Sequence, residues 1–322
     1  MSLAMCRAAC VSVALSLLAS WAGAMQWQWL EQMRQAVQFT DYRGEFVHRR
    51  GDELSAYSVV HRYKDGSMTE LLQQLDGDMI EVLRTGDELI CYYPEGSSSA
   101  VSHAIPAAPF SKVAKLDVER ISGNYSASVQ NEERVAGYIT RVVVLTGDDW
   151  RFSHKLWLEQ KTGLLLQSEM IDQKGQVVEQ FRFTRIEIDV DIADQELRST
   201  LALVSDRQQV ISLNKKPKGD TDNDFSSTLS WLPEGFELAR AHAGMQAEKW
   251  TEMRNYSDGF TSFSVFVEKG VAMKGESAIA KMGATTAVML DKAGYAITVL
   301  GEVPEATARQ VASNIHIEAW DL

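Results

Sequence analysis

Hydrophobic and polar residues alternate along most of this chain, and the alternation is clearest in residues 148–184. Three alternating runs in this stretch are separated by the turn sequences KTG (161–163) and DQKG (172–175). Side chains of a strand point alternately to opposite faces, and short glycine-containing turns join neighbouring antiparallel strands. The pattern therefore predicts a three-stranded antiparallel meander, around which we expect the rest of the domain to be arranged.

One face of the predicted meander carries bulky apolar side chains. Trp150, Phe152 and Leu156 share that face in the first run, and Phe181 and Phe183 share it in the third. A face of this kind either packs as an ordinary core or lines a cavity that admits an apolar ligand. The alternation of residues is the same in both cases, so the pattern leaves both interpretations open.

The period of two extends upstream and predicts five more strands between residues 41 and 95, joined by Asp-Gly and Gly-Asp turns. Residues 25–40 instead carry apolar side chains at helical spacing, which predicts an amphipathic helix covering the apolar face of the sheet. Residues 94–110 are rich in Pro, Gly, Ser and Ala and predict a long loop, suited to act as a flap over an apolar opening. A short helix is expected in residues 111–121. The fold class is therefore α+β, dominated by antiparallel strands.

The chain divides into a leader, two domains and a linker. Residues 1–24 combine a basic residue, an apolar run and the sequence AGA, and they predict a cleaved secretory signal peptide. We expect a large β domain in residues 25–192, a linker in residues 193–230 and a small α+β domain in residues 231–322. The linker is placed where the alternation is lost and charged residues cluster. In the small domain two hairpins precede a helix that begins near Pro304, a position where proline is favoured.

Composition narrows the class of protein. The 322 residues are 45% hydrophobic and 24% charged, which is typical of a globular chain with a substantial core. The net charge of −12 disfavours a nucleic-acid partner, because phosphates require a basic surface. Without the leader, Cys91 would be the only cysteine, so no internal disulfide can form. We expect a soluble, exported protein whose single thiol is a buried strand residue.

The sequence contains no recognisable catalytic or metal-binding motif. Its six histidines lack the H-x-x-x-H and H-E-x-x-H spacings, and no C-x-x-C, G-x-S-x-G or glycine-rich phosphate loop is present. We therefore expect no catalytic residues, no cofactor and no metal, and we predict that the protein is not an enzyme. His154 is the one polar residue on the apolar face of its run. It is more typical of a buried, hydrogen-bonded core histidine than of a ligand-binding or pH-responsive group.

Three segments resemble the RseB/MucB family of periplasmic negative regulators of the sigma-E envelope-stress response. They are YRGEFVHRRGDEL near the start, RVAGYITRVVVLTGDDWRFSHKLWLEQKTGLLLQSEMIDQKGQVVEQFRFT in the middle, and WLPEGF with RNYSDGFTSFSVFVEKG near the end. The resemblance covers both predicted domains in order. It implies a periplasmic protein whose large domain is similar to the lipoprotein carriers LolA and LolB, an unclosed β-barrel wrapped round helices.

The resemblance also implies partners. A protein of this family would bind the periplasmic part of a transmembrane anti-sigma factor and shield it from a site-one protease. Release would follow binding of the acyl chains of lipopolysaccharide, contact with the membrane would be indirect, and in some bacteria the same pathway controls exopolysaccharide production. This favours the cavity interpretation and makes five residues the candidate wall of an acyl-chain pocket: Trp150, Phe152, Leu156, Phe181 and Phe183. The residues that contact the partner, the identity of the lipid and the oligomeric state, a homo-oligomer included, stay open.

A second hypothesis is a periplasmic lipid or lipoprotein carrier that works as a transport chaperone. The predicted small domain distinguishes the two, because a simple carrier has no need of residues 231–322. We therefore expect a regulatory binding protein.

Overall fold

A computed structural model of the chain describes residues 27–77, 79–86, 88–94, 113–114, 116–203, 208–212, 225–246, 249–270 and 277–317. The predicted signal peptide (1–24) and all but the first residue of the predicted flap (94–110) lie outside these residues. Most of the predicted helix at 111–121 lies in the described part. The described part contains a short helix, α2, that begins at Val118 and ends at Asn124, so it starts later than predicted and extends further.

The large domain is built on one open antiparallel sheet of twelve strands. Its strands are β1 (Tyr42–Arg50), β2 (Glu53–Lys64), β3 (Ser67–Gln74), β4 (Glu81–Thr85), β5 (Glu88–Tyr92), β6 (Ser126–Val129), β7 (Glu133–Val135), β8 (Tyr138–Thr146), β9 (Ser153–Glu159), β10 (Leu165–Ile171), β11 (Val177–Ile188) and β12 (Gln208–Ser212). They are ordered β12-β5-β4-β3-β2-β1-β11-β10-β9-β8-β6, with β7 also paired to β8. The fold class is confirmed, and so is the predicted meander, since β9, β10 and β11 are neighbours.

The chain turns tightly where the sequence places its Asp-Gly pairs. Asp65 and Gly66 both have positive φ, 53° and 79°, and they join β2 to β3 with no further residue between the strands. Two consecutive residues of positive φ form the turn whose twist matches that of a hairpin. One strand boundary was predicted wrongly: β9 begins at Ser153, so Trp150 and Phe152 precede the strand.

The first helix, α1, covers residues 27–39 of the described chain and packs on the apolar face of the sheet. Leu30 and Met33 have no exposed surface and belong to the same core as Phe181 and Phe183. Spacings of three and four residues place such side chains on one face of a helix. The core of the large domain therefore lies between α1 and the meander, as the sequence predicts.

The small domain has a six-stranded antiparallel sheet covered by one helix. Its strands are β14 (Glu237–Gln246), β15 (Lys249–Ser257), β16 (Ser262–Lys269), β17 (Ser277–Met282), β18 (Thr285–Lys292) and β19 (Tyr295–Gly301), in the order β14-β15-β16-β19-β18-β17. Helix α3 (Glu305–Ser313) begins directly after Pro304 and packs against β18 and β19. A separate two-stranded ribbon pairs β13 (Ser227–Leu229) with β20 (Ile315–Ile317). Both predicted hairpins are present; β14 and β17 were not foreseen.

Parts of the segment predicted as a linker have structure and lie on the large domain. Two 3₁₀ turns occur at Asp194–Leu197 and Leu201–Leu203, and β12 then pairs with β5 at an edge of the large sheet. The buried carboxylate of Glu81 accepts hydrogen bonds from Ser199 Oγ, from Thr200 Oγ1 at 2.6 Å and from the Leu201 amide at 3.1 Å. The carboxylate of Glu81 therefore fixes residues 199–201 to the large domain.

Candidate functional site

Three of the five predicted pocket residues lie together in the core of the large domain. Leu156, Phe181 and Phe183 are almost fully buried in one hydrophobic cluster. The rings of Phe181 and Phe183 are 5.2 Å apart, and Phe46 on the neighbouring strand lies 4.9 Å from Phe181. Edge-to-face rings at these distances form a favourable contact. These side chains pack in the same core as Leu30 and Met33 of α1, and their role as a pocket wall stays a prediction.

The other two predicted residues lie elsewhere. Phe152 is buried but lies outside that cluster, and Trp150 lies in the turn before β9. The Trp150 ring is 4.8 Å from the ring of Trp231, which belongs to the small domain. The carbonyl of Trp150 also accepts a hydrogen bond of 2.7 Å from Thr307 Oγ1 on α3. Trp150 therefore contributes to the contact between the domains.

A buried arginine lies at the centre of this interdomain contact. Arg151 is almost fully buried, and its Nε is 3.3 Å from Oδ2 of Asp258, a small-domain residue with no exposed surface. Its Nη2 donates to the carbonyl of Glu234, and its Nη1 donates to the carbonyl of Asn124 at 3.1 Å and to Asp148 Oδ2 at 3.0 Å. A buried charge is tolerated only when it is paired and hydrogen-bonded, and half of these partners come from the other domain.

Asp258 connects its own turn to the large domain. Its Oδ1 accepts hydrogen bonds from the amides of Phe260 and Thr261, at 2.9 and 2.8 Å, which fixes the turn between β15 and β16. Its Oδ2 accepts a hydrogen bond of 2.9 Å from the hydroxyl of Tyr125, at the end of α2. Burial, together with this nearby carboxylate, raises the pKa of Tyr125 well above its usual value. Asp258 therefore stabilises the turn between β15 and β16 and also fixes the position of this turn on the large domain.

Two glycines of the small domain allow this close approach. Gly235 has φ +83°, and a Cβ added there would lie 1.8 Å from Oδ1 of Asn124. Gly259 has φ +96°, and its Cβ would meet the side chain of Arg120 at 3.3 Å. Both positions need a residue that tolerates positive φ and has no side chain. We define these residues around Arg151 and Asp258 as the interdomain latch: Arg120, Asn124, Tyr125, Arg151, Gly235, Asp258 and Gly259.

The domains also touch at a second place, where two hairpins meet. A Cβ on Gly283, between β17 and β18, would lie 2.5 Å from Cγ of Arg50, at the end of β1. The amide of Ala284 donates to Glu179 Oε2 at 3.5 Å, and Glu179 Oε1 is 2.9 Å from Nε2 of His48. The small domain therefore contacts the large sheet both at the start of β9 and at the β1-β2 hairpin.

A row of buried polar side chains crosses four strands of the large sheet. Tyr42, His61, Glu70 and Arg84 are directly opposite one another in register on β1, β2, β3 and β4. All four are almost fully buried, and the Tyr42 ring stacks on the His61 ring at 4.8 Å. Burial raises the pKa of Glu70 to about 7 and lowers the pKa of His61 to about 4. Desolvation disfavours the charged form of each group, so His61 is neutral at pH 7 and Glu70 becomes charged only as the pH rises through about 7.

Three further features concern the thiol, metal-ligating groups and membrane-spanning helices. Cys91 is a free, buried thiol, and burial raises its pKa, which disfavours the reactive thiolate. Within the described ranges no three His, Cys, Asp or Glu side chains are grouped to hold a metal. No helix in the same ranges is long and apolar enough to cross a membrane.

Sequence reasoning found the apolar face and missed the latch. In sequence, Arg151 is only a charged residue between two aromatic ones, because Asp258, the carboxylate that it meets in the small domain, lies more than a hundred residues away. Asp258-Gly259 was visible only as a hairpin turn. Its aspartate and its glycine of positive φ are typical of any tight turn, and no local pattern distinguishes a turn that docks on another domain.

Comparison with known proteins covers both domains. The MucB/RseB N-terminal domain matches residues 26–201, and the MucB/RseB C-terminal domain matches residues 221–316. The sigma factor AlgU regulatory protein MucB of Pseudomonas aeruginosa is 32% identical over 302 residues, covering 90% of each chain. The sigma-E factor regulatory protein RseB of Haemophilus influenzae is 26% identical over 312 residues, covering 95% of each.

A solved structure supports the same assignment over nearly the whole length. A crystal structure of MucB in complex with MucA(peri) superposes with a TM-score of 0.72 at 29% identity, covering 91% of this chain and 99% of that one. Both domain types are present, in the same order and within one chain. The chain therefore belongs to the MucB/RseB family of sigma-factor regulatory proteins.

Proposed function

We propose that this protein works in the periplasm, where it binds the periplasmic part of a transmembrane anti-sigma factor. Bound in this way, it protects the anti-sigma factor from site-one proteolysis and so restrains the sigma-E response. The observation that carries the proposal is the match of both domains, over 91% of the chain, to a MucB structure solved with MucA(peri). The latch supports it as well, because a regulator that responds to a signal needs two parts whose relation can change.

The signal in this proposal is lipid. Acyl chains of lipopolysaccharide, or another acyl lipid, enter the large domain against a wall formed by Leu156, Phe181 and Phe183, with Trp150 and Phe152 just before the start of β9. Burying an acyl chain contributes ~0.8 kcal/mol per CH₂, so a chain of ten methylenes offsets several kcal/mol of partner contact. The partner is released if the lipid-bound form of the protein binds it more weakly than the lipid-free form does.

A titration with a proteolysis assay tests the proposal. The mature protein is titrated into a fluorescently labelled periplasmic segment of the anti-sigma factor from the same genome, and cleavage by the site-one protease is followed by gel. We expect saturable binding, slower cleavage in the complex, and loss of both effects when lipopolysaccharide is added. Lipopolysaccharide stripped of its acyl chains is the matched control and should leave the complex intact.

The same samples separate regulation from transport. A carrier would move lipid between vesicles and would not bind the anti-sigma segment or slow its cleavage. That combination of results would refute the regulatory function and leave the carrier hypothesis. A complex that resists intact lipopolysaccharide would refute only the lipid signal.

The pocket wall is tested by single substitutions. Phe152→Asp and Phe181→Asp should weaken binding of acyl chains, because a carboxylate in an apolar site must be desolvated. Phe39→Asp is the control, since the Phe39 side chain is about half exposed on α1. Circular dichroism shows whether each variant folds, and Phe181→Leu replaces Phe181→Asp if it does not. If folded variants bind lipid as the wild type does, the pocket lies elsewhere.

A further inference from the structure

One aromatic side chain of the small domain reaches the core of the large one. Phe260 lies in the turn between β15 and β16, yet it packs against the hydrophobic cluster of the barrel. Its ring centroid is 4.2 Å from that of His154 and 6.0 Å from that of Tyr125, both in edge-to-face arrangements. His154 lies on β9 two residues before Leu156, so the Phe260 ring sits at the end of the predicted pocket wall.

The position of Phe260 is coupled to the latch through its own backbone. Its amide donates a hydrogen bond of 2.9 Å to Oδ1 of Asp258, whose Oδ2 accepts from Tyr125 and pairs with Arg151. Asp258 and Phe260 are two residues apart in one turn. A displacement of the Phe260 ring that also shifts its backbone therefore reaches the carboxylate of Asp258.

The surroundings of the ring suit a hydrocarbon chain. The Phe260 side chain is partly exposed although it packs against the hydrophobic cluster of the large domain, so it lies at the boundary between that core and solvent. Its neighbours Tyr125 and His154 are themselves buried, and each forms a T-shaped ring pair with Phe260. An apolar site with one open side and a few polar groups at its rim is the general form of a site for a small amphiphile.

We propose that the place occupied by the Phe260 ring is a binding site for the acyl chain of a lipid, and that the ring is displaced when the chain enters. Phe260 is then the residue through which lipid binding opens the interdomain latch. The inference rests on the lipid signal of the proposed function and names the step that links that signal to the domain contact.

Competition between the ring and an acyl chain can be measured with a fluorescent fatty acid. The full mature chain is titrated into 11-(dansylamino)undecanoic acid, whose emission rises in an apolar site. Phe260→Ala removes the competing ring and should tighten binding about tenfold, whereas Phe260→Trp enlarges it and should weaken binding by a similar factor. Leu238→Ala is the matched control, because Leu238 is an exposed apolar residue of the same domain. If Phe260 had only a structural role, the two substitutions would not change the affinity for the fatty acid in opposite directions.

The domain response is measured separately. Spin labels on Ile139→Cys and Leu300→Cys, both exposed positions, report the interdomain distance in a Cys91→Ala background. Dodecanoate should broaden and lengthen this distance in the wild type. If Phe260→Ala does not fold, Phe260→Leu takes its place, and binding should still be tighter than in the wild type.

The outcomes distinguish this inference from the proposed function. If the wild type binds the fatty acid but the Phe260 variants bind it equally well, or the interdomain distance does not change, the inference is wrong and lipid binding stands. If neither the wild type nor any variant binds, both the lipid signal and the inference are refuted.

Discussion

Arg151 and Asp258 lie in different domains, and the guanidinium Nε is 3.3 Å from the carboxylate Oδ2 with both side chains almost fully buried. Arg151 also pairs with Asp148 of its own domain, whereas the buried carboxylate of Asp258 meets its cation in the other domain. Identified polar contacts therefore contribute to the relation between the domains, beside the aromatic contacts of Trp231 and Phe260, and they can be changed one at a time.

Removal of Arg151 should destabilise the protein strongly. Arg151→Met leaves the carboxylate of Asp258 buried without its cation, and breaking a buried pair typically costs about 3–5 kcal/mol in the free energy of unfolding. Urea denaturation followed by tryptophan fluorescence measures the change. Arg185→Met is the control, since the Arg185 side chain is 74% exposed, and it should change stability by less than about 0.5 kcal/mol. The double variant Arg151→Met with Asp258→Leu should lose less free energy of unfolding than the sum of the losses in the two single variants.

Gly235→Ala should open the latch with little change in either domain. The new methyl group would lie 1.8 Å from Oδ1 of Asn124, and φ +83° is itself unfavourable for alanine. Gly175→Ala is the matched control, because its φ is +77° and a Cβ there meets nothing within 4 Å. Only Gly235→Ala should speed limited proteolysis between the domains, and adding Asn124→Gly should restore part of the resistance. Equal effects of both alanines would mean that backbone strain, and not the contact, is responsible.

The buried pair of His61 and Glu70 should make stability nearly independent of pH between about 4.5 and 6.5. The pKa of Glu70 is raised from 4.5 to about 7, so its stabilising contribution is complete below pH 4.5 and is lost as pH rises through 7. The pKa of His61 is lowered from 6.5 to about 4, so its contribution is complete above pH 6.5 and is lost as pH falls through 4. Each pKa shift corresponds to roughly 3 kcal/mol in the free energy of unfolding. Between pH 4.5 and 6.5 the two contributions change with pH in opposite directions.

Single substitutions separate the two contributions. In Glu70→Gln the decline with rising pH disappears, so stability should increase from pH 4.5 to 6.5. In His61→Phe the opposite slope remains, and stability should fall between pH 4.5 and 7. Urea midpoints at half-unit pH steps measure both slopes. Parallel profiles for the two variants would show that these groups do not titrate as their burial implies.

Glu81→Gln should loosen residues 199–202, which lie on the large domain. Burial alone would raise the pKa of Glu81, but hydrogen bonds from Ser199, Thr200 and Leu201 outweigh it and hold the pKa below its usual value. The carboxylate therefore stabilises this segment above pH 4.5, and the contribution is lost as pH falls below that value. Hydrogen exchange at residues 199–202 should become faster in Glu81→Gln at neutral pH. Glu53→Gln, at an exposed position, should leave that exchange unchanged.

The local pattern of the sequence predicted those hairpins, strands and helices whose formation depends on residues close together in the chain. The hairpins around Asp65-Gly66, the meander of β9 to β11, α1 and the helix after Pro304 all follow from periodicity and turn chemistry, and the structure contains each of them. Strand β17 was missed because all of its side chains are exposed, so it has no apolar alternation to detect. The start of β9 was placed too early because Trp150 and Phe152 continue the alternation outside the strand.

The candidate site was predicted only in part, for a different reason. Leu156, Phe181 and Phe183 were found because a shared apolar face is a property of strands. The latch joins residues such as Tyr125 and Asp258, which are 133 positions apart, through single hydrogen bonds. A contact of this kind leaves no period in the sequence, and the residue types involved are ordinary in turns and at strand ends.

The connection between Ser212, at the end of β12, and Phe225, before β13, has a consequence for the strength of the latch. Both domains belong to one chain, so they meet at an effective concentration that is on the order of millimolar for a short tether. A contact that would be negligible between separate molecules is then largely formed. The same covalent connection keeps the small domain near the large one after it has been displaced, so an opened latch can re-form within the same molecule.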